Sequence, residues 1–169
     1  MKVLLKVLIF LLLIGISIAL LFIGDGYNMY NEAISSIPLE DKVSEIRSKE
    51  NYTKFSELPQ MYVNAVISVE DKRFYNHHGV DILAIGRAAI NDIKAMSYVE
   101  GGSTITQQLA KNMYFTQDKK IKRKIAEVFM AWKIEKNYSK EEIFELYVNS
   151  IYFGEGYYTV KDACNRLFQ

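Results

Sequence analysis

The polar segment GGSTITQQLAKN, residues 101–112, combines hydroxyl, amide and ammonium side chains in an arrangement that suits anion recognition. Thr104 and Gln107 have the spacing of a Thr-x-x-Gln capping box, which predicts that a helix begins here. The free N–H groups and the positive dipole end of such a helix favour anions, especially phosphate. Thr104, Gln108 and Lys111 then share one face of the helix. The residues alone leave open a capped surface helix whose glutamines and lysine are simply solvated.

Glu70, in the segment AVISVEDKRFYNHHG, is a candidate general acid or base. It follows Val66 by four residues and Ile67 by three, so a persisting helix would place it on the apolar face and turn Asp71 about 100° away. Desolvation on such a face favours the protonated form of a carboxylate, which suits proton transfer near neutral pH. The alternative is that the helix ends one residue earlier and Glu70 is a solvated turn residue, and the pattern does not choose between the two.

A second carboxylate, Glu127, follows Arg123 by four residues and Lys124 by three. As a surface ion pair this arrangement would be worth a few tenths of a kcal/mol. The functional alternative is a carboxylate held among cations that bind a diphosphate. The surrounding basic cluster, which could also touch anionic lipid headgroups, comprises Lys119, Lys120, Lys122, Arg123 and Lys124.

The composition removes several classes of site and partner. The chain has 169 residues and a formal net charge of +1, so a nucleic-acid partner is not indicated. The single cysteine, Cys164, excludes an internal disulfide and a multi-cysteine metal site. The adjacent His77 and His78 lack the usual spacing of metal ligands and suit a structural role in a turn.

The elements that must position these side chains are helices. Residues 61–169 show the apolar periodicity of helices, with runs that begin near residues 61, 80, 104, 121 and 139, and no strongly alternating strand pattern. Ser139 and Glu142 form a second capping-box pattern. We therefore predict one mainly α domain over residues 61–169. Residues 25–60, rich in charge and punctuated by two prolines, are predicted to be a polar connector.

Residues 1–24 have the pattern of a cytoplasmic stub and a membrane anchor. The run from Val7 to Gly24 contains no charged residue and is near the shortest length for a transmembrane helix. Lys2 and Lys6 precede it and acidic residues follow it, so the positive-inside bias predicts a single pass with a cytoplasmic N-terminus. A cleaved signal peptide is the alternative, but the run is longer than usual for one and no A-x-A-like site follows it.

Four segments, in this order, resemble motifs of the peptidoglycan glycosyltransferase domain of penicillin-binding proteins and monofunctional transglycosylases (glycosyltransferase family 51). EDKRFYNHHG, residues 70–79, resembles E-D-x-x-F-x-x-H-x-G, and GGSTITQQLAKN keeps every named position of G-x-S-T-[IL]-T-Q-Q-L-x-K-N. RKIAE, residues 123–127, resembles R-K-x-x-E. KEEIFELYVN, residues 140–149, is similar to K-x-x-I-L-E-x-Y-L-N, with Phe144 and Val148 as mild changes. The resemblance implies a helical, lysozyme-like fold with a membrane-dipping lobe beside the anchor.

The resemblance also implies an activity. Proteins of this family polymerise lipid II into β-1,4-linked glycan strands outside the bacterial cell membrane, with undecaprenyl diphosphate as the leaving group. Glu70 matches the general base that takes the proton of the acceptor 4-hydroxyl, and Glu127 matches a second essential carboxylate near the diphosphate. Lys111, Arg123 and Lys124 match positions that neutralise the diphosphate. The other matched positions, expected to contact substrate or to shape its site, are Asp71, Phe74, His77, Thr104, Gln108 and Asn112.

The implied partners are lipid II, the growing lipid-linked strand, the membrane and other cell-wall synthesis proteins. A divalent cation, Mg²⁺ or Mn²⁺, near Glu127 belongs to the same set of expectations. Two alternatives remain at this stage: a truncated remnant that binds a lipid-linked diphosphate without turnover, and a lysozyme-like enzyme that cleaves glycan with Glu70 as its acid. The cations at Lys111, Arg123 and Lys124 argue against the second, because hydrolysis of a neutral sugar link needs no diphosphate site.

The chain departs from the family pattern near its C-terminus. The fifth motif of the family resembles R-G-x-x-G-[IV]-x-x-A-[AS]-x-x-Y-F, whereas Gly154 and Glu155 stand here where Arg-Gly would stand. The positions that echo the rest of that motif are Val160, Ala163, Cys164, Leu167 and Phe168, and the chain ends one residue later. We therefore expect the domain to be incomplete at its C-terminus.

Overall fold

The computed structural model describes residues 2–97, 101–115 and 120–167, with side chains as far as residue 165. Over these residues the chain forms helices and no strand. The α-helices are α1 (Lys2–Ser36), α2 (Leu39–Arg47), α3 (Gln60–Glu70), α4 (Ile82–Ala95), α5 (Ile105–Tyr114), α6 (Ile121–Asn137), α7 (Lys140–Val148) and α8 (Val160–Leu167). Two single-turn 3-10 helices cover Phe55–Glu57 and Phe74–Asn76. The mainly α fold is confirmed, and Lys119 and Phe168, named above, lie outside the described residues.

The core is built around α5, which packs against α6 and α7. Ile105 and Leu109 lie one turn apart on α5 and are fully buried. Met130 of α6 and Phe144 of α7 close over them and are also fully buried. The opposite, polar face of α5 is thereby held at the surface of a rigid core.

Residues 25–60 are not the polar connector that their composition predicts. α1 continues without a break to Ser36, and α2 buries Leu39, Val43 and Ile46 in the domain core. These three residues recur at i, i+4 and i+7, so α2 is amphipathic with one narrow apolar stripe. The many charges on its other faces gave the segment the appearance of a linker.

The C-terminal part of α1 packs along α6, and the two helices run in parallel. Gly26 is buried against Ile125, and the Tyr27 and Tyr30 rings lie 5.1 and 6.0 Å from the Phe129 ring, centroid to centroid. A Cβ at position 26 would come within 2.5 Å of the Ile125 side chain, so glycine is what permits this close approach. The N-terminal part of α1 is exposed and is long and apolar enough to cross a membrane.

The helix starts predicted from capping patterns are confirmed. Thr104 and Ser139 cap α5 and α7, and in each case the residue three positions on, Gln107 or Glu142, completes a reciprocal capping box. Asp81 caps α4 by accepting a hydrogen bond from the backbone N–H of Ala84. The N-terminus of α5 is thereby fixed at one edge of the core.

An exposed apolar face distinguishes α4 from the other helices of the domain. Only Ala88 of this helix is buried, whereas Ile82, Ile90 and Ile93 are all more than half exposed. Val69, at the end of α3, is 79% exposed. An apolar surface of this kind marks a site of contact with a membrane or another protein.

Candidate active site

A cleft of about 450 Å³ opens beside the polar face of α5. Its walls are the end of α3 with the turn that follows, the first turns of α4, and the chain from Gly101 into α5. The cleft brings together predicted site residues from two distant motifs, and those that line it are Glu70, Asp71, Thr104, Gln108 and Lys111.

The end of α3 places the two adjacent carboxylates in opposite environments. The helix persists through Glu70, as in the first of the two alternatives, but this side chain is exposed to the cleft, as in the second. Asp71 leaves the helix with φ −159° and ψ 75° and is buried instead. The change of backbone direction at residue 71, which no periodicity reveals, turns Asp71 into the interior.

Asp71 ties the turn after α3 to the start of α5. Its carboxylate accepts a hydrogen bond from the backbone N–H of Ile105 at 3.0 Å and lies 2.9 Å from Nε2 of the buried His77. The dipole at the N-terminus of α5 stabilises a negative charge there, and Asp71 supplies that charge. Phe74 is fully buried, with the Lys140 ammonium 4.5 Å from its ring centroid. The burial of Phe74 and His77 indicates that both shape the turn from within.

Thr104 holds the same turn from the other side. Its hydroxyl donates to the carbonyl of Gly79 at 2.6 Å and accepts from the backbone N–H of Gln107 at 3.1 Å. The residue is 2% exposed, so its hydroxyl is committed to these two bonds. Gly79 has φ +88°, a conformation that favours glycine, and it lies just before the start of α4.

Gln108 connects the exposed carboxylate to the core. Its amide nitrogen donates to Glu70 Oε2 at 2.9 Å, and its amide oxygen accepts from the Tyr147 hydroxyl at 3.2 Å. Burial, together with the negative charge of nearby Glu70, raises the pKa of Tyr147, so this hydroxyl is a protonated donor at neutral pH. Lys111, one turn along α5 from Gln108, is partly buried and points to the same cleft.

Arg123, Lys124 and Glu127 form a partly buried charge cluster on α6. Glu127 is 1% exposed, which rules out a solvated surface pair. Arg123 donates to Glu127 Oε1, and Lys124 donates to Glu127 Oε2 at 2.9 Å and to the Ser103 hydroxyl at 2.5 Å. The buried carboxylate binds both cations and fixes their positions, because leaving the Glu127 charge unpaired in the interior would be costly.

A smaller cavity of about 130 Å³ joins this cluster to the main cleft. Both cavities share Ser103, Gln108 and Lys111 as lining residues. The two cavities therefore adjoin as one groove. The exposed Glu70 lines its larger part, Arg123, Lys124 and the buried Glu127 line its smaller part, and Lys111 lines both. A reaction that moves a proton in the larger part and develops negative charge in the smaller part suits this arrangement.

Asn112 is not brought to this groove. It lines a separate cavity of about 420 Å³ with Lys42 and Lys49 of the α2 region and Tyr152 of the chain after α7. Asn112 follows Lys111 directly and so points about 100° away from it around α5.

The side chains present do not fit a divalent cation near Glu127. Both of its carboxylate oxygens are bound by cationic side chains. Across the described ranges, no group of three His, Cys, Asp or Glu residues is placed to hold a metal ion.

Four residues that shape the groove were not predicted from the sequence. Arg73 forms a bidentate ion pair with Asp81, at 2.8 and 2.9 Å, and this hydrogen bonding lowers the pKa of Asp81. Ser103 orients Lys124, and Tyr147 orients Gln108. The position of Asp81 before the apolar run at Ile82 was a readable helix-cap signal. Nothing in the sequence connects positions 103 and 147 with their partners.

Comparison with known proteins identifies relatives along most of the chain. Residues 39–169 match the family described as Transglycosylase. The chain is 43% identical over 166 residues to penicillin-binding protein 1F of Bacillus subtilis (strain 168). This alignment covers 94% of the chain and 23% of that relative. It is also 44% identical over 131 residues to the monofunctional glycosyltransferase of Staphylococcus aureus (strain Newman). That alignment covers 76% of the chain and 48% of the relative. The chain thus spans less than half the length of either relative.

Proposed function

The chain belongs to the transglycosylase family, and from this premise we propose that it is a membrane-anchored peptidoglycan glycosyltransferase. It polymerises lipid II into β-1,4-linked glycan strands and releases undecaprenyl diphosphate. The observation that carries the proposal is the single groove along α5, with the Glu70 carboxylate in its larger part and the cations around Glu127 in its smaller part.

Glu70 acts as the general base. Its carboxylate takes the proton of the 4-hydroxyl on the acceptor sugar while that oxygen attacks the anomeric carbon of the donor. The bond from the anomeric carbon to the diphosphate oxygen breaks, and the electron pair leaves with the diphosphate. Attack opposite the leaving group inverts the anomeric centre. The exposure of Glu70 to the groove leaves its carboxylate accessible to a sugar hydroxyl.

The cations stabilise the leaving group. Lys111, Arg123 and Lys124 line the same cavity, and Glu127 offsets part of their charge while holding Arg123 and Lys124 in place. Fixed cations that face the developing charge lower the barrier without reorganising during the reaction. A diphosphate, with its several negative oxygens, complements the three positive charges. This demand for cations favours transfer from a lipid diphosphate over cleavage of a neutral glycan.

The anchor helix supports a lipid-linked substrate. The charge-free run of α1 ends at Gly24, and α6 begins beside Gly26, where a Cβ would lie 3.0 Å from the Lys122 carbonyl. Arg123 and Lys124 therefore lie close to the height at which α1 leaves the bilayer. The excess of lysine before the span supports a cytoplasmic N-terminus and an extracytoplasmic domain. The exposed apolar face of α4 is suited to dip into the same membrane surface.

The test is polymerisation of purified lipid II by the 169-residue chain in detergent, beside Glu70→Gln and the control Glu141→Gln. Glu141 is an exposed glutamate on α7, and its variant should polymerise at the unmutated rate. Loss of the base should lower the rate of Glu70→Gln by about 10²- to 10⁴-fold. Lipid II binding should be largely retained, because the cations are intact.

The outcomes separate the base from the function. Product from the unmutated chain and equally from Glu70→Gln would contradict the role of Glu70. Absence of product from a chain that unfolds cooperatively would contradict the glycosyltransferase function and favour a protein that binds lipid-linked diphosphate without turnover. Release of fragments from finished glycan would point instead to a cleaving enzyme.

A further inference from the structure

A three-residue hydrogen-bond chain runs from the buried core to the exposed carboxylate in the groove. Tyr147 on α7 is 3% exposed, and its hydroxyl lies 3.2 Å from Gln108 Oε1. Gln108 on α5 is partly buried, and its Nε2 lies 2.9 Å from Glu70 Oε2. The series of hydrogen bonds therefore joins residues of α7, α5 and α3 and ends at the solvent-exposed Glu70.

The chemistry of the three side chains determines the direction of both hydrogen bonds between them. An ionised carboxylate can only accept, so the Gln108 amide must present its NH₂ group to Glu70. The amide oxygen then faces Tyr147, and two oxygens can bond only if the phenol supplies the proton. Without the phenol hydroxyl, the carboxylate alone would hold the amide in this orientation, and the amide oxygen would lose the donor that Tyr147 supplies. An amide turned the other way would place its oxygen against the carboxylate.

From this geometry we propose that Tyr147 is a positioning residue for the catalytic carboxylate, acting through Gln108. The assignment rests on the proposed function, in which Glu70 is the base. Tyr147 adds a second bond that stabilises the amide orientation in which Nε2 donates to Glu70 Oε2. The other oxygen, Oε1, which receives no hydrogen bond from the described residues, is thereby aimed into the groove to take the acceptor proton. Glu70 itself is exposed at the end of α3 and has little packing to hold it, so this bond sets its orientation.

The core contacts of Tyr147 make it a suitable reference point. Its ring lies 6.3 Å from the Phe144 ring, and both residues belong to the buried face of α7. α7 also packs against α5, the helix that carries Gln108. The hydroxyl therefore has a fixed position relative to the amide. Hydrogen bonds in such a series also polarise one another, so each is strengthened by the next.

The first experiment compares Tyr147→Phe with the matched control Tyr114→Phe in lipid II polymerisation. Tyr114 is a partly buried tyrosine whose hydroxyl donates to the Ile37 carbonyl, away from the groove. Tyr147→Phe should lower kcat by about fivefold, as expected for loss of one neutral hydrogen bond, with KM for lipid II unchanged within a factor of about two. Tyr114→Phe should leave both constants unchanged.

A double-mutant cycle tests whether Tyr147 acts through Gln108. Gln108→Ala removes the amide, after which the phenol has nothing to orient, so Tyr147→Phe/Gln108→Ala should have the kcat of Gln108→Ala alone. Multiplicative losses in the double variant would overturn the proposal, because they would show that Tyr147 acts by a separate, structural route. A Tyr147→Phe enzyme with unchanged kcat would overturn it too. Neither result would touch the proposed function, which fails only if the unmutated chain makes no glycan.

A measurement independent of turnover covers the case in which Tyr147→Phe is poorly folded. The side-chain amide protons of Gln108, assigned in ¹⁵N-glutamine-labelled chain by the signal that Gln108→Met removes, should exchange slowly with solvent in the unmutated chain. They should exchange as slowly in Glu141→Gln and faster in Glu70→Gln, in which the acceptor carboxylate is replaced. Free exchange in the unmutated chain would contradict an oriented amide.

Discussion

Neighbouring carboxylates have divided roles at the residue scale. Asp71 is buried and uses its oxygens for the Ile105 backbone and the His77 ring, so it organises the turn and cannot reach a sugar hydroxyl without breaking these bonds. Glu70 is exposed and is held by a single amide. Glu127 is buried like Asp71 but binds two cations that face the groove. Of the three carboxylates, only Glu70 combines access with an oxygen available to take a proton.

The Arg73–Asp81 pair gives a pH-dependent prediction. Hydrogen bonding from Arg73 holds the pKa of Asp81 below its ordinary value of 3.8. A carboxyl group whose pKa is lowered by folding adds stability above its unfolded pKa, and this stability is lost as the pH falls through the folded pKa. Asp81→Asn keeps a helix-capping side chain but removes the charge. The variant should therefore melt below the unmutated chain at pH 7, and the difference should shrink below about pH 4.

Thermal unfolding between pH 7 and pH 3 checks this expectation, with Glu50→Gln as the control. Glu50 is exposed, and its variant should melt in parallel with the unmutated chain at every pH. A difference between Asp81→Asn and the unmutated chain that stays constant down to pH 3 would mean that the ionised pair contributes nothing to stability.

At the scale of the elements, the sequence predicted what depends on local pattern. The capping boxes at Thr104 and Ser139 and the mainly α class are confirmed because capping and periodicity are properties of contiguous residues. The burial of Asp71 was missed because it follows from one non-helical φ,ψ pair at the end of α3. The connector over residues 25–60 was wrong because the apolar stripe of α2 occupies only one position in three or four. Contacts between distant helices, such as Tyr147 with Gln108, depend on packing that no local pattern encodes.

The close packing of α1 against α6 depends on one glycine, Gly26. A methyl group at position 26 would lie 2.5 Å from Ile125 Cβ and Cγ2, whereas a methyl group at Gly24 would meet no atom within 4 Å. Gly26→Ala should therefore destabilise the domain by about 1–3 kcal/mol through overpacking, despite the higher helix propensity of alanine. Gly24→Ala, the matched control, should be neutral or slightly stabilising. Chemical denaturation in detergent measures both. Equal stability of the two variants would show that α1 does not pack on α6 as described.

At the scale of the whole molecule, α1 connects the apolar N-terminal segment to the domain as one continuous helix. It ends at Ser36, and its C-terminal part packs against α6, the helix that carries Arg123, Lys124 and Glu127. In the proposed function, a continuous helix without a joint at the membrane surface fixes the distance between the cations and the bilayer. A diphosphate on a lipid tail occupies a narrow range of heights. The length of α1 is thus expected to be part of the substrate specificity.

An insertion between Gly24 and Asp25 tests this role directly. A helical Glu-Ala-Ala-Lys insert would raise the groove by about 6 Å and rotate it by about 40°, while every α1–α6 contact from Gly26 onward would be retained. To reach the cations, the lipid would have to withdraw part of its tail from the bilayer, at about 0.8 kcal/mol per CH₂ group. We therefore expect polymerisation in lipid vesicles to fall at least about tenfold, with an unchanged melting temperature and little change in detergent. A flexible Gly-Gly-Ser-Gly insert at the same position lets the domain settle back onto the membrane, so it should cost less activity than the helical insert. Equal rates in vesicles for the helical insert and the unmutated chain would mean that the length of α1 does not determine the distance between the groove and the bilayer.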